Sequence, residues 1–473
     1  MMASTNNSDQ WTQFFSEHIQ AIAQAPAPKI TGKLTRVTGL TLEAQGLRLP
    51  MGSICQIEHQ NSAPVEAEVV GFNADTLYLM PTSDTLGLVP DATVTPLVNR
   101  FPSPQLGQPQ AARRRSEDQL RALPIGEGLL GRVINAQGQP IDSLGPIDKC
   151  RQEPIHRRPP NAMQRTPIRQ PLDVGVRAIN SLLAVGQGQR LGLFAGSGVG
   201  KSVLLGMMAR YTQADITVVG MIGERGREVQ EFINESLGKE GLSKAVVVVA
   251  PADQPAVLRM QAALYCTAIA EHYRDQGKRV LLLMDSLTRY AMAAREVALS
   301  LGEAPATKGY PASVFALLPK LVERAGNGPA GAGSITAFYT VLTEGDDQQD
   351  PIADSARAIL DGHFVLERSL ADSGHFPAID IERSISRVMQ NVSSPEHLRN
   401  ARALRKLWSR IQSSQDLIAV GAYVSGRDLE LDRALELKPA IEKFLQQDMH
   451  ERSEFHISLD RMAELLNQSN NEK

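Results

Sequence analysis

Between Lys29 and about Leu97, apolar and polar residues alternate in several short stretches. Examples are Ile30–Val37, Glu66–Phe72 and Thr76–Pro81, and glycine and asparagine residues separate such stretches. Successive side chains of an extended strand point to opposite faces, so a period of two is typical of half-buried strands. Several short strands in sequence predict a small closed β-barrel.

The pattern changes between about Pro159 and Pro377, where continuous apolar stretches alternate with segments of helical periodicity. Strands that are buried on both faces lose the polar alternation, so these stretches predict a largely parallel sheet with helices on both sides. The predicted class is therefore α/β. The predicted strands are Arg190–Phe194, Ile216–Ile222, Ala245–Ala250, Val280–Met284 and Ile335–Leu342, and helices are predicted at Pro255–Tyr273 and Tyr290–Leu301.

Both ends of the chain are predicted to be helical. After Pro395 the sequence is mostly charged and helical, as in Glu396–Leu417 and Leu429–Gln447. Near the start, a set of large apolar residues recurs at helical spacing. This segment either packs on its own barrel or docks on a partner's groove or a membrane surface, and partner docking is the prediction we adopt. The apolar set comprises Trp11, Phe14, Phe15, Ile19 and Ile22, and it ends before Pro26 and Pro28.

These patterns divide the chain into four segments. We expect a partner-binding segment at 1–28, a β-barrel at 29–100, an α/β domain at 101–380 and a helical domain at 381–473. Residues 101–158 are interpreted as a connection, in which Leu129–Asp142 suggests a strand, a turn and a strand. The basic run Arg113–Arg115 in this connection is either a solvated surface or a patch for lipid or nucleic acid.

Composition excludes several classes of protein. The 473 residues carry a formal net charge of -3, which does not indicate a bulk basic surface for nucleic acid. Cys55, Cys150 and Cys266 lie far apart in the sequence and form no metal-binding spacing, so we expect a reducing cytosol. No apolar stretch approaches the length of a membrane helix, and the N-terminus lacks the pattern of a signal peptide. Contact with a membrane is therefore expected only through partners.

A glycine-rich turn follows the predicted strand Arg190–Phe194 and precedes a helical run. Strand, glycine-rich turn, Lys-Ser and helix in this order are typical of a P-loop, whose backbone N–H groups bind phosphate. The motif begins with Ala195, where glycine is usual. Lys201 is predicted to reach the β- and γ-phosphates of a nucleotide, and Ser202 to bind Mg²⁺. The nucleotide-binding residues predicted from this loop are Gly196, Ser197, Gly198, Val199, Gly200, Lys201, Ser202 and Val203.

Two acidic residues complete a candidate catalytic site. Asp285 ends an apolar strand, where P-loop proteins place the carboxylate that holds Mg²⁺ from the side opposite the P-loop hydroxyl. Glu224 follows the strand Ile216–Ile222 and is predicted to orient water for attack on the γ-phosphate. The alternative for Glu224 is an acid that binds free N–H groups at a helix N-terminus, and for Glu228 this alternative is favoured.

Several motifs resemble the catalytic-subunit family of rotary and type III export ATPases. They are Gly-Glu-Arg-Gly-Arg-Glu-Val at 223–229, Met-Asp-Ser-Leu-Thr-Arg-Tyr-Ala at 284–291, and the segments 323–327, 333–342 and 350–354. Segments 200–211, 343–351 and 355–363 are most similar to the flagellar export branch, with the virulence-secretion branch next. The resemblance extends from about 29 to 447.

The resemblance implies a β-barrel, a RecA-like P-loop core and a helical domain, and Mg²⁺-dependent ATP hydrolysis by a homohexameric ring. It implies that Glu224 polarises the attacking water and that Arg225 and Arg289 lie around the γ-phosphate. Arg387 resembles the arginine finger that reaches the neighbouring subunit's nucleotide, and its alternative is a surface salt bridge. Phe376 stands where the family usually has a tyrosine stacked on adenine.

The resemblance also implies partners and a location. Segment 1–28 is expected to bind a stator-like regulatory protein. The other expected partners are a central-stalk-like protein, the export gate and complexes of chaperone and cargo, and no nucleic acid is expected. The location implied is the cytoplasm, peripheral to the inner-membrane export apparatus.

Alternative functions remain at this stage. A non-catalytic subunit of a rotary ATPase would lack the catalytic acid, so Glu224 argues against it. A RecA-like nucleic-acid translocase would need a basic, aromatic surface on the barrel, which the sequence does not indicate. Within the export class, a virulence secretion ATPase and then a catalytic subunit of a rotary ATP synthase are the alternatives to flagellar export.

Overall fold

The computed structural model describes residues 5–24, 30–59, 63–97, 121–343 and 350–468. The described residues before position 98 form one compact unit, and those from 121 onward form a second. The basic run at 113–115 lies outside the described residues. In the described part of the chain, no helix is both long enough and apolar enough to span a bilayer.

The first unit begins with helix α1 (Thr5–Gln24), which covers the predicted terminal helix. Every side chain from Asp9 to Gln20 is exposed, including the large apolar ones Trp11, Phe14, Phe15 and Ile19. The side chain of Ile22 lies outside the described residues. The four described members of the apolar face are therefore not buried against the barrel, although packing on the barrel was one of the two alternatives.

A closed barrel follows, as the alternating pattern predicts. Within residues 30–59 and 63–97, six strands pair antiparallel in the order β1-β2-β5-β4-β3-β6. Alternate residues of these strands, among them Leu34, Leu42, Leu79 and Val94, point inward and are buried. The strands are β1 (Gly32–Thr38), β2 (Thr41–Gln45), β3 (Ile54–Ile57), β4 (Val65–Asn73), β5 (Thr76–Pro81) and β6 (Thr93–Pro96).

The second unit alternates strands and helices and ends in helices. Its elements are β7 (Ala122–Ile125), β8 (Val133–Asn135), β9 (Arg151–Pro154), β10 (Pro171–Leu172), α2 (Arg177–Leu182), β11 (Val185–Gly186), β12 (Arg190–Ala195), α3 (Lys201–Tyr211), β13 (Ile216–Ile222), α4 (Gly226–Glu231), α5 (Gly238–Ser243), β14 (Ala245–Ala250), α6 (Ala256–Asp275), β15 (Arg279–Asp285), α7 (Leu287–Ser300), α8 (Ala312–Val322), β16 (Gly326–Asn327), β17 (Ser334–Leu342), α9 (Pro351–Ile359), β18 (Gly362–Leu366), α10 (Arg368–Asp372), β19 (Ile379–Ser386), α11 (Met389–Val392), α12 (Pro395–Ser413), α13 (Gln415–Ala419), α14 (Leu429–Leu445) and α15 (Phe455–Gln468).

One large sheet organises this unit. Among the described residues it has the order β19-β18-β12-β17-β15-β13-β14-β8, with β16 paired to β17. The strands from β18 to β8 are parallel to one another, so their carboxyl ends share one edge, and β19 is antiparallel to β18. Strand β8 comes from the predicted connection, which therefore contributes to the sheet. The predicted α/β class, with a mostly parallel sheet preceded in the sequence by a small barrel, is confirmed.

The C-terminal helices share a hydrophobic core with one face of the sheet. Buried residues such as Leu404, Ile411 and Ile441 from α12 and α14 belong to the same cluster as Leu191 and Phe364 of the sheet. This packing brings the end of α14 close to the beginning of α3. The predicted boundary between residues 380 and 381 falls within strand β19.

Candidate nucleotide site

The predicted P-loop lies between the end of β12 and the beginning of α3. Gly198 and Gly200 have φ angles of 80° and 85°, which glycine adopts without the steric cost that a side chain would add. A Cβ atom on Gly200 would also lie 3.3 Å from the Phe376 ring. In the described residues no side chain caps the N-terminus of α3. Its first N–H groups and partial positive charge therefore remain available to an anion.

Lys201, the first residue of α3, joins the P-loop to two neighbouring strands. Its Nζ atom lies 2.7 Å from Oδ1 of Asp285 and 3.5 Å from Oε1 of Glu224. The hydroxyl of Thr340 on β17 donates to the same Asp285 oxygen at 2.6 Å. Burial opposes the charge of Lys201, but the carboxylates of Asp285 and Glu224 outweigh it and raise the pKa of the ammonium group. A cation and two carboxylates thus meet at the carboxyl edge of the sheet.

Glu224 is 6% exposed and follows the end of β13 by two residues. Its Oε1 atom has no hydrogen-bond partner among the described residues. Burial, followed by the nearby charge of Asp285, raises the pKa of Glu224 to about 7, although Lys201 acts in the opposite direction. A carboxyl group with a pKa near the working pH is suited to accept a proton.

The two arginines predicted near the γ-phosphate differ in their surroundings. Arg289 lies in the first turn of α7, where its backbone N–H donates to the Ser286 hydroxyl at 3.1 Å. Its side-chain stem packs against Gly223, where a Cβ atom would lie 2.8 Å from Cβ of Arg289. Arg289 is thus placed beside Glu224. Arg225 caps α4, and its side chain is exposed.

Phe376 borders a cavity of about 1080 Å³ beside the P-loop. Gly200 and Val203 line one side of this cavity, and Phe444 and Gln447 line another. The ring is 45% exposed, and the backbone oxygen of Phe376 accepts a hydrogen bond from the N–H of Gln447 at 2.9 Å. An aromatic ring with one free side, next to a phosphate-binding loop, is suited to stack on a base.

Arg387 lies away from the other candidate residues of its own chain. It follows Ser386, which pairs with Gly362 at the amino end of β18, whereas Ala195 pairs with Leu366 at the carboxyl end. Gly362 and Leu366 are four residues apart on β18, so at about 3.3 Å per residue Ser386 and Ala195 are separated by roughly 13 Å along the strand direction. The guanidinium donates to the carbonyl oxygens of Leu360 at 3.2 Å and Arg357 at 3.1 Å. These contacts to carbonyl groups are not the carboxylate contacts of a surface salt bridge.

Sequence reasoning did not identify Thr340, Phe444 and Gln447. The signal for Thr340 was available, since a threonine inside a continuous apolar strand needs a hydrogen-bond partner. Phe444 and Gln447 join the site only because the C-terminal helices fold back onto α3, and no local pattern indicates such a contact.

Comparison with known proteins agrees with this geometry. Residues 175–386 match the ATP synthase alpha/beta family, nucleotide-binding domain, and residues 393–464 match the T3SS EscN ATPase C-terminal domain. The flagellum-specific ATP synthase of Pseudomonas aeruginosa is 55% identical and covers 95% of this chain and 96% of its own length. The flagellum-specific ATP synthase of Salmonella typhimurium is also 55% identical, and the aligned region covers 96% of this chain and 98% of the Salmonella chain.

Solved structures give the same result. The assembled ATPase EscN from the type III secretion system of enteropathogenic E. coli superimposes with a TM-score of 0.83 at 42% identity. This comparison covers 92% of the present chain and 100% of the EscN chain. EscN has also been solved in complex with its central stalk EscO, with a TM-score of 0.80 to this chain.

The fold and the site define a P-loop ATPase of the ATP synthase alpha/beta class, in which Glu224 faces the P-loop residue Lys201. Within that class, the chain belongs to the flagellum-specific ATP synthase family. The expected family and the ATP-hydrolysing activity are thus confirmed.

Proposed function

We propose that a homohexameric ring of this chain hydrolyses Mg²⁺-ATP and thereby energises or primes the export of flagellar proteins through the type III export apparatus. One observation carries the catalytic part of the proposal: Lys201 contacts both Asp285 and Glu224 at the P-loop. The flagellar destination is supported by identity to flagellum-specific relatives over nearly the whole chain.

Each residue has a distinct role in this proposal. Lys201 and the N–H groups from Gly196 to Val203 bind the phosphates. Ser202 and Asp285 are suited to hold Mg²⁺, because a hydroxyl and a carboxylate are oxygen ligands of the kind this cation takes. The fit is supported by the exposed position of Ser202 at the start of α3 and by the burial of Asp285 beside Lys201. When bound, Mg²⁺ neutralises charge on the phosphate oxygens.

Glu224 orients the attacking water and accepts its proton. Its Oε1 atom accepts no hydrogen bond among the described residues and lies 3.5 Å from Nζ of Lys201, and its pKa of about 7 is suited to accepting a proton. Arg289 and Arg225 stabilise the charge that develops on the γ-phosphate, and Phe376 stacks on the adenine. Arg387 acts on the nucleotide of the neighbouring subunit, since it lies at the opposite edge of the sheet from its own P-loop.

The proposed partners follow from the relatives and from α1. Because EscN is described as an assembled ATPase and in complex with a central stalk, we infer a ring and a central-stalk-like partner for this chain. The exposed apolar face of α1 is proposed to bind a stator-like regulatory protein. Export gate and chaperone–cargo complexes complete the proposed set, in the cytoplasm at the inner-membrane face. No nucleic-acid partner is proposed.

A second candidate is the ATPase of a virulence type III secretion system. It is supported by the similarity to EscN over 92% of the chain, but at 42% identity rather than 55%. A catalytic subunit of a rotary ATP synthase comes third, supported by the nucleotide-binding domain alone.

Gene deletion and complementation in the source bacterium test the proposal. We expect deletion to abolish swimming and the export of filament protein, and the wild-type gene to restore both. Glu224→Gln should not restore them, whereas Glu231→Gln on the exposed side of α4 should. Normal swimming of the deletion strain, together with lost secretion of virulence proteins, would transfer the assignment to the second candidate.

A further inference from the structure

Asp361 and Arg190 are joined by four hydrogen bonds at the amino end of β12. The carboxylate of Asp361 accepts from the Arg190 backbone N–H at 3.0 Å, from Nε at 2.9 Å and from Nη2 at 3.1 Å. The Asp361 N–H in turn donates to the Arg190 carbonyl at 2.9 Å. The side chains are only 16% and 24% exposed, so this two-pronged charged pair is partly shielded from water. The position of Asp361 is therefore fixed to the strand that leads into the P-loop.

The same residue contacts the segment that carries Arg387. The carbonyl oxygen of Asp361 accepts from the backbone N–H of Arg387 at 3.1 Å and from Nε2 of Gln189 at 3.1 Å. Gln189 is fully buried, and its Nε2 also donates to the Ser386 hydroxyl at 3.1 Å. The guanidinium of Arg387 donates to Leu360, the residue before Asp361. Both the backbone and the side chain of Arg387 thus depend on where residues 360 and 361 lie.

We propose that Asp361 is a positioning residue that fixes Arg387 in the orientation in which it reaches the neighbouring subunit's nucleotide. This inference rests on the proposed function, in which Arg387 acts on a site of the next subunit. The carboxylate of Asp361 does not contact Arg387 directly. It acts by clamping Arg190, which holds the 360–361 backbone and, through it, the start of the Arg387 side chain.

Arg190, the partner of Asp361 in this clamp, is also the first residue of the strand that ends at the P-loop. The experiment must therefore separate an effect on Arg387 from an effect on this strand. A misplacement of about 1 Å at a catalytic group can lower a rate about 10²-fold, so the clamp need move little.

The chain offers a matched control. Arg279 is the first residue of β15, and Asp215 binds it through the same three donors: the backbone N–H at 2.8 Å, Nε at 3.3 Å and Nη2 at 2.7 Å. Among the described residues, no hydrogen bond links Asp215 to the Arg387 segment. Asp215→Asn therefore removes a clamp with the same donor pattern at the same edge of the sheet, and we expect it to leave Arg387 in place. The control pair is more exposed, at 45% and 35% against 16% and 24%, and Arg190 also pairs with Glu323 at 2.5 Å.

Mixed assemblies separate the two roles of a subunit. An Arg387→Ala chain keeps its P-loop and lacks the finger, and a Lys201→Ala chain keeps the finger and lacks the phosphate contact. Together they should regain ATPase activity. When Asp361→Asn is added to the Lys201→Ala chain, we expect the regained activity to fall at least about 10-fold. When it is added to the Arg387→Ala chain, the regained activity should change less than about 2-fold, since that chain's finger is already absent.

The outcomes are distinguishable. Equal losses from Asp361→Asn in either chain would overturn the proposal, because they would show a general effect on folding or on the P-loop. The same conclusion would follow from no loss in either chain, or from an equal loss with Asp215→Asn. If Asp361→Asn fails to fold, Arg190→Lys replaces it, since lysine keeps the charge but not the two-pronged contact. No activity from the parental pair would instead overturn the shared site itself.

Discussion

The ammonium of Lys201 lies 2.7 Å from the carboxylate of Asp285 and links the first residue of α3 to the last residue of β15. Glu224 faces the same ammonium from the end of β13 at 3.5 Å. The proposed phosphate-binding cation, the proposed Mg²⁺ carboxylate and the proposed base therefore form one electrostatic unit. A substitution at any of the three residues should therefore change the electrostatic environment of the other two.

Glu224→Gln should separate nucleotide binding from hydrolysis. Glutamine keeps the shape of the side chain but cannot accept a proton, so kcat should fall about 10²-fold or more while ATP still binds. Phosphate release and binding of a fluorescent ATP analogue measure the two properties. Glu231→Gln is the control, because Glu231 lies on α4 and pairs with Arg227 rather than with Lys201. Near-normal turnover by Glu224→Gln would remove Glu224 from the catalytic role.

The dependence of hydrolysis on pH should report the same carboxyl group. Burial raises the pKa of Glu224 to about 7, and only the ionised form accepts a proton. Below that value the group is protonated, so kcat/KM should fall about 10-fold per pH unit on the acid side. Above that value it should reach a plateau. The residual activity of Glu224→Gln should not show this fall in kcat/KM on the acid side. If kcat/KM of the wild-type protein instead fell with a midpoint near pH 4.5, the ordinary pKa of glutamate, the role proposed for Glu224 would be contradicted.

Phe376 should contribute to nucleotide affinity rather than to the chemical step. Base–aromatic stacking is worth about 1–3 kcal/mol, so Phe376→Ala should raise KM for ATP by about 5- to 150-fold with a smaller change in kcat. Phe376→Tyr keeps the aromatic ring and adds the hydroxyl that the family resemblance implies, so it should leave KM within a few-fold of wild type. If KM for tripolyphosphate, which has no base, rises as much as KM for ATP, stacking is not the role of Phe376.

The predictable parts of this protein are those encoded in local patterns. The alternating stretches identified the barrel, and the continuous apolar stretches identified β12, β13, β14, β15 and β17 within one residue at each end. The two-residue strand β16 was not predicted. The P-loop, Glu224 and Asp285 were predictable because each follows a recognisable strand. The surroundings of Arg387 were not, since they depend on the antiparallel pairing of β19 with β18, which places Ser386 beside Gly362. Pairing of this kind is a long-range property of the fold.

Deletion of residues 1–25 should leave the rest of the protein intact. The side chains of α1 from Asp9 to Gln20 are exposed, so deleting them removes little of the buried apolar area that stabilises the fold. Thermal unfolding and basal ATP hydrolysis should therefore be nearly unchanged, while pull-down of the stator-like regulatory protein is lost. Leu79→Ala in the barrel core is the reference for a change that disturbs packing, and it should lower the free energy of unfolding by about 2–5 kcal/mol. A truncation that lowers the melting temperature by many degrees would assign α1 to the barrel.

Hydrolysis should depend on assembly, because Arg387 lies roughly 13 Å along the strand direction from the start of its own P-loop and is proposed to act on the neighbouring subunit's nucleotide. Dilution should lower the activity per subunit. Arg387→Ala should bind ATP yet lose about 10³–10⁵-fold in kcat, the range for an arginine finger supplied in trans.

Lys201→Ala should lose both ATP binding and turnover, since it removes a charged contact with the phosphates. The exposed Lys239→Ala on α5 is a suitable control for Lys201→Ala.

The proposed shared active site is tested most directly by mixing Arg387→Ala with Lys201→Ala, two variants that are each expected to be inactive alone. Ring formation is first confirmed for the mixture by mass measurement, and ATPase activity is then followed across mixing ratios. Activity that rises to a maximum at intermediate ratios is the predicted result, because only mixed neighbours combine an intact P-loop with an intact Arg387. Rings that form yet stay inactive at every ratio would contradict a site completed by the neighbouring subunit.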